Sequence, residues 1–164
     1  MYQKIMVPLD GSKFAEGVFP HFEAFLKNGS VKKAVLVRVL EPLPFLYYCE
    51  IGTAFRDVRY DEVPSRLASL DEWQAQERRR ALQYLEEIAA RFSKYGAEIE
   101  CQVLAGGQVA ETLASYAQDN DFDLILTATH GLSGVGHRLW GSVANQVMRF
   151  SHMPVLMVGT TASA

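Results

Sequence analysis

Four short apolar runs are spaced along this chain, and none shows the strict alternation of a half-exposed strand: Lys4–Leu9 (KIMVPL), the VLVRVL stretch within Val31–Leu40, Leu124–Thr127 (LILT) and Pro154–Val158 (PVLMV). Lys4–Leu9 and VLVRVL read as buried strands of the kind covered on both faces, which occur almost only in parallel sheets, and Leu124–Thr127 and Pro154–Val158 as further apolar strands. The intervening segments carry a different period. Phe14, Val18, Phe22 and Phe25 recur at helical spacing until Asn28-Gly29 stops them. Leu82, Leu85, Ala89 and Phe92 support a long helix from about Ser65 to Phe92, ended by Gly96, with Arg78, Glu86 and Glu87 elsewhere on its surface. Glu98–Leu104 (EIECQVL) alternates enough to be a more exposed strand. Gly106-Gly107 punctuates the chain, Val109–Tyr116 makes a short helix, and another helix begins at Ser142.

The order is β-α-β-α-β-α-β-α-β. Strict alternation implies an α/β fold with an open parallel five-stranded sheet and helices on both faces, because each parallel connection needs a right-handed crossover. In such sheets ligands bind beyond the carboxyl ends of the strands, where strand order reverses. A 3-2-1-4-5 order puts that crevice between strands 1 and 4, with Asp10 and the loop after Thr127 facing each other across it.

The 164 residues, 49% hydrophobic and 21% charged, fit one domain over 1–160 with a short tail at 161–164. Periodicity fails at about 41–64, where Pro42, Pro44 and Pro64 surround the apolar cluster Phe45, Leu46, Tyr47, Tyr48; this irregular insertion is either a flap over the crevice or a docking surface for a partner. A net charge of -3 argues against nucleic-acid binding, which demands a basic face. Arg78-Arg79-Arg80 reads as a solvated helix face. The N-terminal residues lack the apolar core of a signal peptide, and no stretch approaches the roughly 20 apolar residues of a spanning helix, so a cytoplasmic protein without membrane partners is expected. Cys49 and Cys101 lack metal or redox spacing and are expected to be reduced and structural.

The segment Phe122–Phe150 (FDLILTATHGLSGVGHRLWGSVANQVMRF) carries the chemistry. It reads as a strand, a loop bounded by Gly131 and Gly141, and a helix N-terminus, where orphan backbone N–H donors and a partial positive charge suit a phosphate. Familiar phosphate and hydrolase signatures fail on it. No GxxxxGK[ST] occurs, Leu139 stands where a dinucleotide fingerprint starting at Gly134 needs its third glycine, and Val135 breaks a GxSxG around Ser133. His130, His137 and His152 lack metal spacing, His21 carries no signal, and Glu111 reads as an acid compensating a helix dipole. No catalytic residue and no metal ligand is therefore assigned. Gly131 permits close backbone approach, and Ser142 is suited to capping the helix or touching a phosphate. Together with the acidic turn Pro8-Leu9-Asp10-Gly11-Ser12, this pattern favours a nucleotide site over a structural turn. In that reading Asp10 accepts from a ribose hydroxyl and the strand near Val39 offers backbone groups to a base.

VPLDGS near the start, VLVRVLEP at the second strand and THGLSGVGHRLWGSVANQVMRFSHMPVLMV at the end together resemble the universal stress protein family, from one end of the chain to the other. The resemblance implies the adenine nucleotide alpha hydrolase-like fold and homodimers paired through the last strand. Its ATP-binding members carry a G-x2-G-x9-G-S/T motif, matched here at Gly131, Gly141 and Ser142, with Ala128 in place of the first glycine. The extra methyl either obstructs a close backbone contact or is harmless if φ stays negative. Position by position, the resemblance places Pro8, Asp10 and Val39 at the adenosine end, Thr127, Ala128 and Gly131 beneath ribose and phosphates, and Gly141, Ser142 and Val143 against the triphosphate. A divalent ion such as Mg would bridge the phosphates without an identifiable protein ligand. The family acts mostly through regulated binding in stress adaptation, so the expectation is an ATP-binding dimeric regulator with little or no catalysis, since no residue qualifies as a water-positioning base. Two alternatives are a dimeric interaction module of the same family without nucleotide, and a slow ATPase.

Overall fold

The computed structural model describes residues 2–41, 63–130 and 142–160. Five strands form one parallel sheet: β1 (Lys4–Pro8), β2 (Lys33–Leu40), β3 (Glu98–Ala105), β4 (Leu124–His130) and β5 (Val155–Thr160), in the order β3-β2-β1-β4-β5. The expected 3-2-1-4-5 arrangement is therefore the observed one. Register runs Lys4↔Lys33 to Pro8↔Val37 between β1 and β2, Ile5↔Leu124 between β1 and β4, and Ile125↔Val155 to His130↔Thr160 between β4 and β5. Helices α1 (Phe19–Lys27) and α2 (Val63–Phe92) contribute to one core, and α3 (Val109–Asp119) and α4 (Ser142–Phe150) to the other.

The strand residues divide between the two layers by parity, because successive side chains leave a strand on opposite faces. Ile5, Val7, Ala34, Leu36, Leu124 and Leu126 meet α1 and α2, while Met6, Val35, Val37 and Ile125 meet α3 and α4. Continuous apolar runs in β1, β2 and β4 are the direct result of supplying both cores at once. β3, at the sheet edge, is mostly exposed or half-buried, as its alternating sequence implies.

Several boundaries differ from the sequence reading, three of them for a definite physical reason. The first helical segment is split into a 3-10 turn, Ala15–Val18, and α1, because Pro20 in the first turn of α1 lacks an N–H and would clash with the carbonyl four residues earlier were the α-helix continued backward. Helix α2 begins at Val63, inside the segment read as an insertion, and Pro64 fits there because first-turn N–H groups have no intrahelical acceptor. β4 continues to His130, three residues beyond Thr127, because β5 pairs with it as far as Thr160. Residues 42–62, with the Phe45–Tyr48 cluster and Cys49, and the tail at 161–164 lie outside the described residues.

The amino-terminal edge of the sheet is tied by Asp123. Its Oδ2 accepts from the backbone N–H groups of Gln3 and Lys4, each at 2.8 Å, and its own N–H donates to the Lys4 carbonyl at 2.8 Å. The Lys4 and Gln3 N–H groups hold this carboxyl below its ordinary range. A depressed folded pKa contributes stability that is present above the unfolded pKa of about 3.9 and lost as pH falls through the folded value. Asp123→Ala is therefore expected to cost about 1 kcal/mol at pH 7, moderated by solvent exposure. Urea midpoints of the variant and the parent should converge as pH falls through the depressed folded value if the carboxylate is the cause.

Candidate functional site

Reversal of strand order happens at β1, whose neighbours are β2 and β4. The chain leaves β1 and winds over one face to β2, whereas it enters β4 from the other face, so the two connections diverge and open a crevice at the carboxyl end.

On the β1 side of the crevice, Pro8 is the last strand residue and Leu9 still donates its N–H to Val37 O at 2.8 Å. Asp10 then turns the chain. Its Oδ1 accepts from Ser12 N–H at 2.8 Å, and Ser12 Oγ accepts from Ala15 N–H at 3.1 Å, which starts the 3-10 turn. Gly11, at φ +88°, supplies the left-handed conformation that this turn requires. One Asp10 oxygen is thus committed to the turn. On the β2 side, Val39 is half-buried and packs toward the core under α3, and Leu40 O accepts from Gly106 N–H at 3.1 Å.

The other wall comes from β4 and α4. Thr127 is 8% exposed, and its Oγ1 makes a bond of 3.5 Å to Ala128 O, at the outer limit of a hydrogen bond. A buried hydroxyl this weakly engaged retains capacity for another partner. Ala128 is part of an extended strand paired with Val158, and its methyl packs against the core under α1 and α2. Asp121 is the only non-glycine residue at positive φ among the described residues, so Ala128 keeps ordinary backbone geometry. Of the two alternatives for this methyl, negative φ is the one realised. Helix α4 starts at Ser142 itself, one position earlier than a cap at Ser142 implies, and Val143 is 40% exposed in its first turn. Gly131 and Gly141 lie outside the described residues.

The fold therefore collects Pro8, Asp10, Val39, Thr127 and Ala128 at the carboxyl ends of β1, β2 and β4, with Ser142 and Val143 opening α4. Two residues that the sequence reading passed over belong to the same neighbourhood. Arg38 of β2 lies over Gly11, and Tyr84 of α2 stands against Arg38. The available signal was a charged residue inside the otherwise apolar VLVRVL run. Elsewhere, Arg78 donates to Val103 O at 3.0 Å and Arg80 pairs with Glu77 at 2.8 Å, and all three arginines of the run are exposed, as a solvated helix face requires. Cys101 is free and half-buried, with burial pushing its thiol up to about 11, far from the thiolate range. Among the described residues no cluster of His, Cys, Asp and Glu could hold a metal ion, and no helix is long and apolar enough to cross a membrane.

The universal stress protein family model matches residues 1–159. The chain belongs to the universal stress protein family. A universal stress protein of Methanocaldococcus jannaschii is 25% identical to it over 162 residues, covering 96% of this chain and 95% of its own. The solved structure of that relative superposes with a TM-score of 0.74 over 99% of each chain. A universal stress protein in complex with cAMP is 23% identical, with a TM-score of 0.60 over 98% of each chain. The Archaeoglobus fulgidus universal stress protein in complex with dAMP is 20% identical, with a TM-score of 0.56 over 95% of this chain and 97% of its own. All share the doubly wound sheet of this universal stress protein.

Ala128→Gly isolates the methyl group. Removing it from a paired strand is expected to destabilise the protein by roughly 0.5–1 kcal/mol through added unfolded-state freedom, while leaving any nucleotide affinity within about twofold. Thermal unfolding beside calorimetric titration with ATP reads both numbers. An affinity gain of tenfold or more would mean that the methyl does obstruct the ligand.

Proposed function

We propose that this universal stress protein is an ATP-binding regulator of stress adaptation that works as a homodimer and has little or no catalytic activity. The observation that carries the reading is the direction of the Ala128 side chain. With that methyl turned into the core under α1 and α2, the departure from the glycine motif needs no unusual backbone and leaves β4 an ordinary lead-in to the loop between Gly131 and Gly141. Two relatives of this fold hold adenine nucleotides, cAMP in one and dAMP in the other. An adenine nucleotide is the ligand class that the same crevice supports here.

In the proposed complex, backbone groups near Val39 meet the base, and Pro8 lines the adenosine. The uncommitted oxygen of Asp10 accepts from a ribose hydroxyl. Thr127, Ala128 and Gly131 run beneath ribose and phosphates, and Gly141, Ser142 and Val143 present the start of α4 to the triphosphate, where backbone N–H groups and the helix dipole favour an anion. A divalent ion such as Mg is expected to travel with the phosphates. Regulation without fast turnover follows from the side chains: Asp10 is engaged by its own turn, and none of the other described residues assigned to the crevice carries an acid or imidazole to orient water. Dimerisation through β5 is supported by its edge position and by Leu156, 38% exposed on that strand. The single domain is taken to span 1–160.

The test is direct. Protein purified without added nucleotide is denatured and the released material read at 260 nm, then apo protein is titrated calorimetrically with ATP and followed for ADP. Bound or titratable ATP with less than one turnover supports the regulator. Several turnovers would make it a slow ATPase, and no nucleotide together with no heat at millimolar ATP would leave a dimeric interaction module. Sedimentation velocity decides the dimer.

A further inference from the structure

Arg38 is out of place in its strand. Leu36 and Leu40, its same-face neighbours in β2, pack in or against the core under α1 and α2, and a guanidinium on that face must find polar company. It finds it at the turn after β1. A side chain built on Gly11 would place its first carbon 3.2 Å from one terminal nitrogen of Arg38 and 3.5 Å from the guanidinium carbon, so the group lies directly against the turn backbone. The guanidinium carbon also lies 5.9 Å from the centroid of the Tyr84 ring. Tyr84 is itself anchored, its hydroxyl donating to Glu16 Oε1 at 3.3 Å, and Glu16 Oε2 pairs with Lys13 at 2.9 Å. Burial, with Glu16 and Asp10 nearby, pushes the Tyr84 hydroxyl up to about 12, so the phenol stays neutral and its ring keeps an electron-rich face for the cation.

The turn under Arg38 is the one that aims Asp10. A turn built on a glycine at φ +88° is conformationally permissive and gains definition from what packs on it. Within it the bond from Ser12 N–H to Asp10 Oδ1 sets the carboxylate orientation. Tyr84 thus backs Arg38, Arg38 covers Gly11, and Gly11 joins the two residues of that bond.

We infer that Arg38 is a positioning residue for Asp10: held between Tyr84 and Gly11, its guanidinium clamps the Asp10–Ser12 turn so that the free carboxylate oxygen meets the ribose of the ligand. The ribose half of this statement rests on the nucleotide reading above, whereas the clamp is a property of the protein alone. A charged side chain at this strand position then acts at a distance on selectivity between ribose and deoxyribose, without touching the phosphates.

Arg38→Met keeps the aliphatic stem and removes the guanidinium. In ligand-free protein, amide hydrogen exchange at Gly11 and Ser12 should become about tenfold faster, the scale of a half-buried cation–π contact, with the β1 and β2 ladders unchanged. In the same variant the preference for ATP over 2′-deoxy-ATP should collapse to the value found for Asp10→Asn, while the ATP to ADP affinity ratio, which reports phosphate contacts, stays at the parent value. Unchanged exchange at Gly11 and Ser12 overturns the clamp, whatever binds. Faster exchange with an intact ribose preference overturns the positioning role. If the parent protein binds no ATP, the nucleotide reading fails and the exchange measurement alone decides the clamp. Should Arg38→Met fail to fold, Arg38→Lys, which keeps the charge without the plane, carries the same two readouts.

Discussion

Gly141→Val is expected to weaken ATP binding by roughly 5- to 150-fold while the protein stays folded. Position 141 immediately precedes α4, whose first N–H groups have no intrahelical acceptor and are the proposed donors to the phosphates. A β-branched side chain there restricts the backbone and competes with the anion for space. Overpacking costs of about 1–3 kcal/mol correspond to a loss of roughly 5- to 150-fold in affinity. The buried residues of α4, Ala144 and Val147, are kept, so unfolding midpoints should move little. Calorimetric titration of both proteins under one salt condition measures the loss, and an unchanged affinity would remove the segment from Gly131 to Gly141 from the proposed binding site.

Phe22→Ala should produce the largest loss of stability of any change considered. Phe22 has no exposed surface, and its ring meets that of Phe92 edge-on with centroids 4.8 Å apart, while Phe19 approaches Phe92 from 5.4 Å. These three rings join α1 to the end of α2, so truncation removes both transfer energy and the aromatic pair, and leaves a cavity between helices that the sheet prevents from closing. A cost of about 3–5 kcal/mol follows, which lowers the melting temperature on the order of 10 °C for a domain of this size. Far-UV circular dichroism during heating gives the midpoint. A shift of only a few degrees would show that α1 can collapse into the vacated space.

Much of the architecture was legible because it rests on local periodicity. Apolar runs without alternation in β1, β2 and β4 signal strands with both faces covered, the alternation of Glu98–Leu104 signals a sheet edge, and Gly29 and Gly96, at φ +65° and +78°, end the helical segments before β2 and β3 as glycines do. The split before α1 was legible in principle from Pro20, whose effect on the preceding turn is local as well. The extension of β4 to His130 was not. TATH has no strong apolar character of its own, and pairing with β5 is what keeps it extended. That extension matters for the site, because it makes Ala128 a strand residue with a defined face.

The sequence by itself determined the alternation of strands and helices, hence a parallel sheet with a crevice at its carboxyl end, and it supplied the motif residues Gly131, Gly141 and Ser142. It did so because period, turn chemistry and motif spacing are properties of neighbouring residues. Only the tertiary structure decided where the Ala128 methyl goes and what Arg38 covers. Side-chain direction at Ala128 depends on where pairing with Val158 keeps the strand extended, and the contact of Arg38 with Gly11 and Tyr84 joins three elements distant in the chain. Such contacts arise when packed layers bring those elements together, and no local pattern records them.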